Sequence, residues 1–187
     1  VDEISLKGNH NLENALFIIG TGKILNIPNE VIAQFLKTTK ALEHRLENFF
    51  LKKNTLFVND SKGTNVESTV KAIEAFKNRV VLIAGGENKK ICNDELIKKI
   101  NERVGFVYLI GETGIILAEE MDKVGYKKYK NLGTLEKVLL DIKENIDFED
   151  GQTILFSPAT ASFDQFKNFE ERGRIFKELT NKILGEK

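Results

Sequence analysis

T55-L-F-V-N-D-S-K-G-T-N-V-E-S-T-V-K-A-I-E-A-F76 is the stretch on which the fold turns. An apolar run of strand length comes first, then a small polar turn, N59-D-S-K-G-T-N65. VESTVKAIEAF follows, with its apolar residues at helical spacing. The same alternation recurs downstream. V80-V-L-I-A-G-G86 precedes N93-D-E-L-I-K-K-I-N-E102, and V104-G-F-V-Y-L-I-G111 precedes E112-T-G-I-I-L-A-E-E-M121. A weaker Y126-K-K-Y-K-N-L-G133 precedes T134-L-E-K-V-L-L-D-I-K-E144, and TILFSP, residues 153–158, leads to a final helix through Leu184. Strand–helix repeats with short, Gly-bearing connections predict a Rossmann-like α/β fold, a mostly parallel sheet with helices on both faces.

Upstream of the repeats the pattern is helical. Leu12, Ala15, Leu16, Ile19 and Ile24 predict a helix from Asn9 to about Leu25. Val31, Ile32, Phe35 and Leu36 predict a second from Pro28 to Lys40, with proline in its first turn. The change from helix to strand near residues 44–50 predicts two domains, 1–46 and 47–187.

Lys plus Arg and Asp plus Glu number 28 each, so no net field draws the chain to nucleic acid or to an anionic membrane. No apolar run approaches the ~20 residues of a membrane span. A single cysteine, Cys92, excludes an internal disulfide framework and fits a reducing cytoplasm. It has no neighbours that mark a nucleophile, and two isolated histidines make no metal site. The chain opens on Val without an initiator Met, which suggests part of something longer.

In a parallel sheet the ligand lies beyond the carboxyl ends of the strands. Three loops carry polar, cationic and small residues to that rim: N59-D-S-K-G-T-N65, A84-G-G-E-N-K89 and S157-P-A-T-A-S162. Together they predict a site for a small anionic ligand. The last loop places six small or hydroxyl-bearing residues where a helix should start, an arrangement suited to anions because a helix's first N–H groups are unpaired. The other reading is an ordinary strand-to-helix connection, with Phe163, Phe166 and Phe169 facing a core.

The sequence N9-H-N-L-E-N14, then H44-R45, N59-D-S-K-G-T-N65, G85-G-E-N-K89 and S157-P-A-T-A-S-F-D-Q-F-K-N-F-E-E-R-G173, in that order, resembles the bacterial Mur ligases of peptidoglycan synthesis. The resemblance runs from about Leu6 to Leu184, and the segment 157–173 is its most specific part. The D-N-P-R signature of the dibasic-adding ligase is absent. The match favours the member that adds D-glutamate to UDP-N-acetylmuramoyl-L-alanine. It implies ATP-dependent ligation in the cytoplasm through an acyl phosphate, with residues 1–46 as the tail of a central ATP-binding domain and 47–187 as the amino-acid-binding domain. A P-loop and the magnesium ligands would lie upstream, so the 187 residues alone are expected to be inactive. I18-I-G-T-G-K-I24 is no substitute, because Phe17 and Ile24 stand where a P-loop needs Gly and Ser/Thr.

The resemblance also implies roles. Arg45 would hold the γ-phosphate; its planar fork of donors never loses charge. Asp60 would accept from ribose hydroxyls, the other reading being a cap on the following helix. Asn11 and Asn14 would lie on the adenine side, and Lys62 near the phosphates. Lys89, Thr64, Ser162 and the backbone at Phe169 would hold the carboxylates of D-glutamate. Phe163 and Phe166 are expected in the core, and His10 and His44 are expected to be structural. The competing functions are a folylpolyglutamate synthase-like ligase and a non-catalytic nucleotide-binding module.

Overall fold

The computed structural model describes residues 9–39, 42–87 and 93–185, with side chains omitted at 9–11 and 13. The chain falls into two compact units, Val1–Leu42 and Glu43–Lys187. The first unit contains helices α1 (Asn9–Ile24) and α2 (Asn29–Thr38). Gly22 of α1 sits against Ile32 of α2, where a Cβ would stand 2.5 Å from the Ile32 side chain. Pro28 precedes α2, extended at φ −56° and ψ 141°. Leu16, Phe17, Ile24, Val31 and Phe35 are exposed.

The second unit runs β1 (Glu47–Lys52), β2 (Thr55–Asn59), α3 (Val66–Glu74), β3 (Val80–Gly85), α4 (Asp94–Arg103), β4 (Val104–Ile110), α5 (Thr113–Lys123), β5 (Tyr129–Gly133), α6 (Leu135–Asn145), β6 (Thr153–Phe156) and α7 (Phe169–Leu184). The strands form one sheet in the order β1-β2-β6-β3-β4-β5. All neighbours from β2 to β5 are parallel. β1, which the repeat pattern does not reveal, pairs antiparallel with β2 and carries an irregularity between Asn48 and Phe50.

Strand alternation builds two apolar layers. Val58, Val80, Leu82, Ala84, Val107, Leu109 and Leu155 face α3, α4 and α5, which contribute Ile73, Leu96, Ile100, Leu117 and Met121. Phe57, Val81, Ile83, Tyr108, Ile110, Ile154 and Phe156 face α6 and α7, with Leu139, Ile142 and Phe176. A sheet covered on both faces needs apolar side chains at every central position, so β3 and β6 are buried throughout. The helix starts are fixed by side-chain caps: Asn65 accepts from the Ser68 N–H, Thr134 from Lys137 and Asn168 from Glu171.

The strand order positions the site. β6, last in the chain, inserts between β2 and β3, so the loops after these three strands are neighbours at one rim, where winding reverses direction.

The last connection departs from expectation. The helix does not start in the small-residue turn: α7 begins only at Phe169, after twelve residues of irregular chain. Phe163 is 63% exposed rather than in the core, while Phe166 is partly buried against the α6–α7 layer. The SPATAS turn is thus no helix N-terminus, and its chemistry is that of a loop backbone.

Phe176 locks α7 to the sheet, its ring 4.6 Å from that of Phe156 and 5.3 Å from that of Phe49. Phe176→Ala should cost roughly 3–5 kcal/mol of unfolding free energy, measured by chemical denaturation. A loss under ~1 kcal/mol would show that α7 is not packed on β1 and β6 in this way.

Candidate functional site

The rim loops are stitched together by hydrogen bonds. The Asp60 N–H donates to the Phe156 carbonyl (2.8 Å), Ala159 to Gly63 (2.9 Å), Gly85 to Pro158 (2.8 Å) and Glu87 to Ala161 (3.0 Å). These join the loops after β2, β3 and β6. Ala159 is left-handed, at φ +64°, a region that residues with a Cβ seldom adopt.

At the centre lies Arg172, fully buried. Its Nε donates to Ser61 Oγ (3.1 Å), its Nη2 to the Ser61 carbonyl (2.8 Å) and its Nη1 to the Thr160 carbonyl (3.0 Å). Ser61 Oγ in turn donates to the Phe169 carbonyl (2.8 Å). Gly86 leaves room for the guanidinium, since a Cβ there would stand 3.1 Å from Nη1 and 2.5 Å from the Ala161 carbonyl. Burial pushes the guanidinium down to about 10, with Asp164 opposing, so it stays charged at neutral pH. Sequence reading missed Arg172. Its only signal was scarcity, as one of five arginines, and its place inside the segment 157–173.

Asp60 is buried and belongs to the same network. Its Oδ2 accepts from Ser157 Oγ (2.7 Å) and its Oδ1 from the Leu46 N–H (3.2 Å). Gly63 packs against both groups, and a Cβ there would lie 2.6 Å from Asp60 Oδ2 and from Ser157 Oγ. Helix α3 is capped by Asn65, so Asp60 is not that helix's cap. Burial raises the Asp60 carboxyl to about 6, against the Ser157 hydroxyl, the Leu46 N–H and the charge of Arg45.

The remaining residues fall as follows. Arg45 is exposed, at the start of the second unit. Lys62 is half-buried with its Nζ 3.8 Å from the centre of the Phe169 ring, a cation–π contact. Thr64 is half-buried in the same loop, and its N–H donates to the Lys62 carbonyl (2.8 Å). Ser162 is buried, and its carbonyl accepts from the N–H groups of Gln165 (3.1 Å) and Phe166 (2.8 Å). Phe169 opens α7, so its N–H is one of the helix's orphan donors by geometry. Arg45, Asp60, Lys62, Thr64, Ser162 and Phe169 therefore share the second unit. Asn14 is exposed on α1, in the other unit. Lys89 and Cys92 and the side chains of Asn11 and His10 lie outside the described residues.

Among the described residues, Glu43, His44 and Glu47 bring ligand atoms within 4.8 Å of one another. Lys177 already occupies that cluster, with its Nζ 2.7 Å from Glu43 Oε1 and 2.8 Å from Glu47 Oε1. The cluster is a closed ion-pair network and does not fit a magnesium site. A groove of about 510 Å³ between α3 and α4 is lined by Glu67, Lys71, Glu74 and Lys99, which are already joined in ion pairs. Among the described residues no helix is long and apolar enough to cross a membrane.

The same fold occurs in ligases of known structure. The UDP-N-acetylmuramate-alanine ligase of Thermotoga maritima superposes on 94% of the chain and 38% of its own, with a TM-score of 0.69 at 16% identity. The MurF ligase of the same organism, solved with ADP, matches 88% of the chain and 37% of its own, with a TM-score of 0.56 at 16% identity. At such identities the likeness speaks for the fold. Sequence speaks for the family: the UDP-N-acetylmuramoylalanine–D-glutamate ligase of Fusobacterium nucleatum is 46% identical over 99% of the chain. Relatives in sequence and neighbours in structure are thus both Mur ligases. It spans about 40% of the length of the curated relatives it matches. No family model matches the chain.

The raised carboxyl of Asp60 gives a pH test. With a folded value near 6 and an ordinary value of 3.8, the folded chain holds the extra proton between those limits. Asp60 therefore adds stability that is complete below pH 3.8 and is lost as pH rises through 6. Relative to Asp60→Asn, the wild type should lose about 2 kcal/mol between pH 4 and pH 7, read from urea midpoints of both proteins. Parallel pH courses would contradict a buried, proton-retaining Asp60.

Proposed function

We propose that the chain is the carboxy-terminal part of a ligase that adds D-glutamate to UDP-N-acetylmuramoyl-L-alanine at the expense of ATP, through an acyl phosphate, in cytoplasmic peptidoglycan precursor synthesis. The observation that carries the reading is the 46% identity, across 99% of the chain, to a ligase named for that reaction. The rim supports it, because loops from β2, β3 and β6 are held together where a small anionic substrate would sit. In this reading residues 1–46 close a central ATP-binding domain and 47–187 bind the amino acid. The likeness to ligases of other specificities is of fold alone.

ATP, when bound, supplies the phosphoryl group that activates the acceptor carboxylate. Arg45, exposed and offering a planar fork of donors, would hold the terminal phosphate, and Lys62, seated on the Phe169 ring, would add a second cation. Asp60 has both oxygens engaged by Ser157 and Leu46, so in addition to any ribose contact it fixes the loop that carries Lys62 and Thr64. Asn11 and Asn14 would serve the adenine side. For the amino acid, Lys89 and Thr64 would neutralise and bond one carboxylate, and Ser162 with the Phe169 N–H would bond the other. Such a grip leaves the amine free to attack while closure excludes water. Magnesium would take its ligands elsewhere than from Glu43, His44 and Glu47, the described cluster that Lys177 fills.

The test is phosphate release by the full-length protein, with ATP, UDP-N-acetylmuramoyl-L-alanine and either enantiomer of glutamate. Release should require all three substrates and prefer the D form. Activity with a folate acceptor and L-glutamate would favour the polyglutamylating alternative, and none with any acceptor would favour a non-catalytic module. Arg45→Lys keeps the charge but loses the fork, and should cut turnover by roughly 10²-fold or more. Turnover near wild type would return Arg45 to a surface role.

A further inference from the structure

Arg45 stands between two non-glycine residues in the left-handed region, His44 at φ +66° and Leu46 at φ +43°. That region disfavours residues with a Cβ, and such strain persists only where the surroundings over-determine it. Here both neighbours are tied down. The His44 N–H donates to Glu47 Oε2 (3.0 Å), its carbonyl accepts from the Lys62 N–H (3.0 Å), and the Leu46 N–H donates to Asp60 (3.2 Å). The His44 ring is buried, with its Nδ1 2.9 Å from Asn59 Nδ2, and it packs on Gly173 so closely that a Cβ there would clash. Arg45, between these anchored residues, is exposed to solvent.

What closes the turn comes from α7. Lys177 Nζ bonds Glu43 Oε1 (2.7 Å) and Glu47 Oε1 (2.8 Å), two carboxylates four residues apart on either side of Arg45. Glu47 spends its other oxygen on the His44 N–H and on Asn59 Nδ2 (3.2 Å), so one carboxylate joins α7, the turn and β2. We propose that Lys177 is a positioning residue for Arg45: by gathering both ends of the turn onto α7, it holds the strained backbone that aims the guanidinium. Burial alone would depress the Lys177 ammonium, but the bonds to Glu43 and Glu47 outweigh it and hold it above its ordinary range. The Lys177 ammonium is therefore charged throughout the neutral range. The inference rests on the reading of Arg45 as the group that holds the terminal phosphate.

The test is kinetic, in the full-length protein. Lys177→Met keeps the unbranched stem and removes the bridge. The turnover number should fall roughly tenfold, as for a misaimed group, with KM for D-glutamate and the thermal midpoint little changed. Lys177→Arg, which can still span both carboxylates, should recover most of the loss. In an Arg45→Ala background Lys177→Met should cost nothing further, because the residue it serves is gone. An equal loss in both backgrounds, a raised KM for D-glutamate or an unaltered turnover number would each overturn the role of Lys177. If Lys177→Met does not fold, Glu43→Gln cuts one arm of the bridge at an exposed carboxylate and carries the same expectation at smaller size. Full activity of Arg45→Ala would overturn instead the reading of Arg45 on which the inference stands.

Discussion

A guanidinium sealed from water holds the rim of this sheet together. Arg172 reaches from α7 to Ser61, 111 residues away in sequence, and to Thr160, on the loop that precedes its own helix. Burying that charge is costly unless its donors are used, and here they are spent on two carbonyls and a hydroxyl. The constraint is mutual. The carbonyls of Ser61 and Thr160 would be left unpaired in the interior without it, so neither loop can move independently of α7. Gly86, on the third loop, is crowded by the same assembly: the Ala161 carbonyl, the Thr160 hydroxyl and the guanidinium surround the place of its Cβ.

Several features of the site follow from that clamp. Ser61, fixed by Arg172, donates to the carbonyl of Phe169, which sets the first turn of α7 beside Lys62. Asp60, next in the chain, joins Ser157 to Leu46 and so carries the constraint to the turn that bears Arg45. The loops after β2, β3 and β6 are thereby joined by a buried network rather than held by their own stiffness. The cost appears locally, in a carboxyl raised to about 6 and in left-handed backbones at His44, Leu46 and Ala159.

Much of the fold is legible in the sequence because the strands are buried on both faces. VVLIAG and TILF have almost no polar position, so their apolar runs stand out from the amphipathic helices between them. β1 is different: ENFFLK lies at the sheet edge, half-buried to exposed, irregular in register and antiparallel, so it stands outside the strand–helix repeat. The late start of α7 was hidden by phenylalanines at helical spacing, though Asn168 is the cap and Phe163 projects into solvent. At the site, the loops and most of their polar residues were readable from small and hydroxyl-bearing runs after strands. Burial was not. Asp60 reads as a cap or a ligand contact, and Arg172 within E170-E-R-G-R174 reads as one more charge on a surface helix.

The most direct test is amide hydrogen exchange on Arg172→Met, which keeps an unbranched buried side chain but removes every donor. Protection should be lost at residues 60–63 and 159–162, and at the first turn of α7, while β3 and β4 remain as slow as in the wild type. Unchanged protection in those loops would mean that the rim holds itself together without the buried guanidinium, and would contradict the account.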